Sequence, residues 1–292
     1  MAKKVRTRKT PEQRREEAAA LQASIAEQVE QFRDSDQWRK FLQFAQAFHA
    51  YSLNNVMLIM AQQPAATQVA GFRKWQQLGR QVRKGERAIK IFGYSTKKIT
   101  EDDGNGDETE RRITIFPVLS VFDISQTDPI EGADTVVTSP ATALTGDDPA
   151  GIAAAVTDYI TGEGWTITRE TIAGSAYGYT TPHNRRIVVE QNISAAQAAK
   201  TTIHETAHAL MHADLKSGEY VAHRGLCETE AESVAYIVAG ICGLDTASYS
   251  VGYVASWTDG DTDMIRETAA RVLSTAHTLA DAITTTDDAA AA

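Results

Sequence analysis

The sequence predicts an α+β protein of two domains. The N-terminal domain is helical with a β-hairpin or small sheet, and the C-terminal domain mixes helices with short strands. Three observations predict this. Apolar residues recur at helical spacing early and late in the chain, while the middle of each half holds short β-rich runs. An aperiodic stretch rich in Asp, Thr, Pro, Gly and Ala, residues 127–149, reads as a linker. The chain of 292 residues also has room for two domains at roughly 100–200 residues each. The expected boundaries are 11–126, 127–149 and 150–285.

The first helix is expected from Pro11, with Pro in the first turn and Ala18, Leu21, Ile25, Val29 and Phe32 on one face. Trp38, Phe41, Ala45, Phe48 and Tyr51 mark a second. Ser52 caps a third over Leu53–Met60, which stops before Pro64. Phe72–Leu78 is a short helix ended by Gly79. Ala88–Tyr94 and Ile113–Phe122 read as strands, and the acidic, Gly-containing segment Glu101–Glu110 reads as a mobile hairpin tip between them.

The second domain opens with a helix near Gly151–Thr161, followed by strands at Trp165–Arg169, Tyr177–Thr180 and Arg186–Glu190. Ser194 caps a helix running to His212, Arg224–Cys242 forms another that ends at Gly243, and the last lies near Asp261–Ile283.

Composition excludes several classes. No apolar run approaches the roughly 18 residues of a membrane span. The basic residues of Met1–Thr10 are not followed by an apolar stretch, so no secretory signal is expected. Two cysteines, Cys227 and Cys242, do not make a disulfide framework. A cytoplasmic protein is expected. The net charge of −9 is unevenly divided: residues 1–125 hold 21 basic and 15 acidic residues, and residues 126–292 hold 8 and 23. The two halves are therefore expected to have different partners.

The sharpest chemical signal is His204-Glu205-Thr206-Ala207-His208. Histidines four apart lie on one helix face and can grip one ion, with Glu205 between them as general base. A catalytic zinc site needs a third protein ligand. His212 is a poor candidate, because eight residues of helix rise about 12 Å. His223 sits in a loop-like stretch without further support. Glu228 is the best candidate, and Glu232, one turn on, is placed to accept the outer N–H of a ligand histidine. Glu230 is expected to point elsewhere into solvent. The three glutamates also fit a plain acidic helix face.

His204–His212 followed by Glu228–Leu244 resembles the gluzincin metallopeptidases, and within them the ImmA/IrrE family. The resemblance implies a zincin-like fold, a Zn2+ cofactor held by His204, His208 and Glu228, and peptide-bond hydrolysis. Glu232 stands where Asp or Asn is common in that family. The oxyanion of such a reaction needs a donor. Tyr253, Tyr249 and His223 are the candidates, and Tyr249, Tyr253 and Trp257 equally fit a buried helix face.

Between Gly71 and Lys98 nine basic residues are opposed only by Glu86 and are interleaved with Phe72, Trp75, Phe92 and Tyr94. Positive charge with exposed rings suits single-stranded nucleic acid, while a solvated charged face with partly buried rings is the plainer reading. Ser52–Ile59, Val69–Trp75, Leu78–Glu86 and Val121–Thr127 resemble the N-terminal domain of ArdC antirestriction proteins. That resemblance implies single-stranded DNA as a partner, with Asn54, Asn55, Arg73, Trp75, Arg80 and Lys84 near it. It also implies protection of incoming plasmid or phage DNA from restriction. The acidic C-terminal half would take an unknown protein substrate. Two alternatives stand beside this: an ImmA/IrrE-like regulatory protease cleaving a repressor, and a non-catalytic DNA-binding protein on a zincin scaffold.

Overall fold

The computed structural model describes residues 10–102, 108–131, 151–244, 258 and 260–290. Helices and short strands form an α+β fold whose strands gather into small sheets. The chain divides into two units. One holds Met1–Gln28 and Met57–Val137, the other Val29–Val56 and Thr138–Ala292. The segment Val29–Val56 therefore groups with the C-terminal half, across the boundary the sequence suggests. Among the described residues no helix is long and apolar enough to cross a membrane.

In the first unit, α1 (Pro11–Gln31) begins in a reciprocal cap. Thr10 Oγ1 accepts from the Gln13 amide, and Gln13 Oε1 accepts from the Thr10 amide. After α3 (Leu53–Gln62) come β1 (Val69–Gly71), α4 (Phe72–Gln77) and β2 (Arg80–Val82). Then follow β3 (Ile89–Phe92), β4 (Ser95–Asp102), β5 (Glu108–Ile115), β6 (Val118–Asp123) and β7 (Thr127–Pro129). The antiparallel sheet β1-β6-β3 buries Val69, Ile89, Ile91 and Val121. The strand expected over Ile113–Phe122 is two strands, β5 and β6, separated at Phe116-Pro117, where proline offers no N–H to a ladder. β4 and β5 pair in register from Ser95–Ile115 to Asp102–Glu108, so the hairpin's strands run further into the acidic segment than its composition suggests. Thr127–Pro129, placed in the linker by sequence, is β7 and pairs with β2.

The segments Leu78–Glu86 and Val121–Thr127 hold one another. The buried Asp123 carboxylate accepts from the amides of Thr67, Gln68 and Ser125. Burial alone would raise its pKa, but these bonds outweigh burial and lower it. Gln126 donates to Glu86 and to the Arg87 carbonyl, and Arg83 donates to the Ser125 carbonyl.

In the second unit, Asp34 caps α2 (Ser35–Phe48), and Phe32, Trp38 and Phe41 form a buried aromatic cluster. α5 (Ile152–Gly162) leads into β8 (Thr166–Glu170), β9 (Gly178–Thr181) and β10 (Arg186–Glu190). β10 is central, parallel to β8 and antiparallel to β9, which leaves β9 at the edge. The helices α6 (Ala195–His212), α7 (Ser217–Ala222), α8 (Arg224–Ile241) and α9 (Thr262–Ala290) complete the unit. Ile160, Trp165, Ile187, Val189, Ala198 and Ala209 form a core between the sheet, α5 and α6. α8 is buried on nearly every side along Val234–Ala239, and Gly243, with φ 74°, ends it.

Candidate metal centre

Ser194 sets the start of α6, its hydroxyl accepting from the Gln197 amide. From that start the helix turns His204 and His208 toward α8, where Glu228 lies on the facing side. The three donor atoms converge. His204 Nε2 and His208 Nε2 are 3.1 Å apart, and Glu228 Oε2 is 3.4 Å and 3.5 Å from them. A tetrahedral ion with bonds of about 2.0–2.1 Å has donors about 3.3–3.4 Å apart. Two imidazoles and one carboxylate at this spacing could therefore hold a metal ion. A second group of possible ligands, His49, His277 and Asp281, is more open to solvent.

Each histidine has its own outer partner. His204 Nδ1 lies 3.2 Å from Glu232 Oε2, and Glu232 in turn pairs with Lys200 at 2.7 Å. His208 Nδ1 lies 3.0 Å from His212 Nδ1, and His212 Nε2 lies 2.8 Å from Glu230 Oε2. Arg271 on α9 donates to Glu230 through both Nε and Nη2. Glu230, expected in solvent, is thus buried and salt-bridged. It lies against two other helices, where an unpaired carboxylate would be costly.

Glu205 is buried under the edge strand. The Thr180 hydroxyl is 2.8 Å from Glu205 Oε2. A Cβ added at Gly178 would stand 2.9 Å from Glu205 Cγ and 2.6 Å from Thr201 Cγ2, so only glycine leaves room for this packing. Tyr177, Gly178, Thr180, His204, His208 and Glu228 line one cleft of about 930 Å³.

Electrostatics follow from this arrangement. Burial would lower the His204 pKa, but Glu228 and Glu232 outweigh it and hold it up at about 9. Bonds from His204 and His208 keep the Glu228 carboxyl well below the usual carboxylate range despite burial. Burial raises Glu205, against the opposing effects of His204 and the Thr180 hydroxyl. Burial, assisted by Glu228, pushes the Tyr220 phenol up to about 12.

Of the residues expected near an oxyanion, Tyr253 and Tyr249 lie outside the described residues. His223 is exposed at the start of α8. Tyr220, not expected from sequence, brings its hydroxyl within 3.5 Å of Glu228 Oε1. Its position depends on α7, a single short helix that apolar periodicity does not reveal.

The residues expected near DNA do not share one environment. Trp75 is 1% exposed, and its Nε1 donates to the Phe122 carbonyl, so its ring is core and not a stacking surface. Arg80 bonds the hydroxyl and carbonyl of Thr127, tying β2 to β7. Asn54 accepts from Arg266 on α9, and Asn55 is half-buried on α3. Arg73 and Lys84 are exposed. So are Tyr94 and Phe116, whose rings meet edge to face at 6.2 Å.

Residues 15–122 match the family described as the N-terminal domain of anti-restriction factor ArdC. An uncharacterized protein of Bacillus anthracis is 27% identical over 296 residues, covering 90% of this chain. The chain spans half the length of that curated relative. Two crystal structures of the antirestriction ArdC protein from the R388 plasmid are also similar. The metal-free form has 21% identity and a TM-score of 0.48, covering 80% of this chain and 85% of that one. The Mn(II)-bound form has 19% identity and a TM-score of 0.45, covering 83% and 97%.

Proposed function

We propose that the second unit is a zinc-dependent peptidase centre of the gluzincin type and that the ArdC-type segment binds single-stranded DNA, the two serving an antirestriction role. One observation carries the peptidase reading: the donor triangle of His204, His208 and Glu228, with Glu205 beside it under an edge strand. The resemblance of His204–His212 and Glu228–Leu244 to ImmA/IrrE-type sequences supports it. The match of residues 15–122 supports the antirestriction reading.

A divalent ion held by His204, His208 and Glu228 would polarise a peptide carbonyl and acidify a water. Glu205, beside these ligands, would serve as the general base. Burial raises its pKa, and the Thr180 hydroxyl holds one of its oxygens. β9 has an unpaired edge among the described strands, beside the same cleft. An extended peptide can add there through its backbone, which suits a protein substrate. Tyr220 supplies a phenol at the same place. Its raised pKa keeps the hydroxyl protonated, as a donor to a developing oxyanion requires.

The test combines metal titration with Zn(II) and Mn(II), cleavage of an unstructured protein such as casein, and gel shifts with single- and double-stranded oligonucleotides. Glu205→Gln is expected to keep the ion and lose at least about 100-fold in cleavage. A Glu205→Gln protein that cleaves at the wild-type rate sinks the peptidase reading. Equal or absent binding of the two oligonucleotides sinks the DNA reading.

A further inference from the structure

His212 follows His208 by one helical turn, yet the donor triangle does not use it. It is buried, and both of its ring nitrogens are engaged, one by His208 and one by Glu230. The arrangement is directional. With an ion held at His208 Nε2, between His204 and Glu228, the remaining ring proton would sit on Nδ1. His208 Nδ1 then donates to His212 Nδ1, which must carry the lone pair, so His212 holds its own proton on Nε2 and donates it to Glu230. Glu230 can only accept, and its other oxygen is clamped by the Arg271 guanidinium. With the ion in place, the donors and acceptors along this chain would all run in one sense.

We propose that the buried His212 and Glu230, with Arg271 closing the chain from the surface, form a relay that fixes the tautomer and ring orientation of His208, making α9 a part of the metal centre. The two ligand histidines are then oriented by parallel arms: His204 by Glu232 and Lys200, and His208 by His212, Glu230 and Arg271. Each arm ends in a cation paired with its carboxylate. The relay spans three helices, so the spacing between α6, α8 and α9 is transmitted to the His208 lone pair. An outer partner of this kind is worth roughly 10–100-fold in metal affinity.

The proposal rests on the metal reading above, and the experiment separates the two. Zn(II) affinity is measured on the full chain by competition with a chromophoric chelator, together with the Co(II) absorption spectrum. His212→Phe keeps a ring of similar size but can accept no proton, and it is expected to weaken binding roughly 10–100-fold with an altered Co(II) spectrum. Glu230→Gln keeps the shape and an acceptor but removes the charge, and it is expected to lose less. Glu228→Gln serves as the direct-ligand control, with the largest loss. Wild-type affinity in both relay variants, with Glu228→Gln impaired, overturns the relay and leaves the metal centre standing. A wild-type chain that binds no ion overturns the metal centre and the relay with it. If His212→Phe does not fold, Glu230→Gln decides. A merely structural role would lower the melting temperature of the metal-free protein without changing affinity, and that result also overturns the proposal.

Discussion

The metal-free protein should lose stability as pH rises from 6.5 to 9, the reverse of what acid-labile carboxylate pairs produce. The perturbation is deprotonation of His204. Held between Glu228 and Glu232, its imidazolium persists to about 9 against an ordinary value of 6.5. A group whose pKa is raised on folding contributes in full below its unfolded value and loses the contribution as pH passes its folded value. At 1.36 kcal/mol per tenfold proportion, the gap corresponds to about 3 kcal/mol. Glu228 is the same ion pair seen from its other end, so its lowered pKa sets the acid flank and is not added. At about 2–4 °C per kcal/mol, the melting temperature should fall by roughly 6–12 °C between pH 6.5 and 9. Calorimetry with a chelator present measures this directly. His204→Gln should remove the slope, because no imidazolium remains to be lost. Zn(II) should reverse the trend: it needs the neutral ring, so binding expels a proton and apparent affinity rises toward pH 9. A chelated wild type whose melting temperature is flat over this range, or a His204→Gln protein with the same slope, would refute the reasoning.

Other substitutions test the packing around the site and the division of labour between segments. Gly178→Ala forces a methyl against Thr201 and Glu205, and overpacking of this kind costs about 1–3 kcal/mol. A lowered melting temperature with unchanged Zn(II) affinity is expected, and an unchanged melting temperature counts against the close packing of β9 on α6. Trp75→Ala should cost about 3–5 kcal/mol, as for an aromatic removed from a core, and urea denaturation measures it. A stable Trp75→Ala protein impaired only in DNA affinity would return the ring to the binding surface. Arg73→Glu and Lys84→Glu, both exposed, should weaken single-stranded DNA binding for all sequences alike. Each should also flatten the salt dependence by about 0.7 for every phosphate it no longer neutralises. Unchanged binding at low salt removes them from the interface.

The helices are legible wherever a long element has one apolar face. α1, α2, α6 and α8 fall within a few residues of where periodicity and caps place them, because a repeat of 3.6 over fourteen or more residues leaves few alternatives. Short elements fixed by pairing are not. β1, β2 and β7 have three residues each, too few to show alternation, and exist because each meets a partner distant in sequence. Ile113–Phe122 reads as continuous because it is apolar almost throughout, with only Thr114 and Ser120 polar. Pro117 is the available signal that the ladder breaks there.

The same limit divides the site. Spacing alone puts His204, His208 and Glu205 on one helix, and a facing carboxylate follows from the chemistry of a three-ligand ion. What spacing does not carry is which side of α8 is solvent. Placing Glu230 outward because Glu228 and Glu232 face inward holds only for a helix with one wet face. α8 has none over much of its length: Val234, Ala235, Tyr236, Ile237, Val238 and Ala239 are all buried, and together they surround the axis. An apolar run that covers every direction of a helix says that polar residues on the same helix are buried too, and a buried carboxylate demands partners. His212 and Arg271 are those partners, 18 and 41 residues away in sequence. The run Val234–Val238 is therefore the readable sign that Glu230 belongs to the interior, and with Glu230 inside, a histidine one turn beyond His208 gains a purpose other than binding the ion itself.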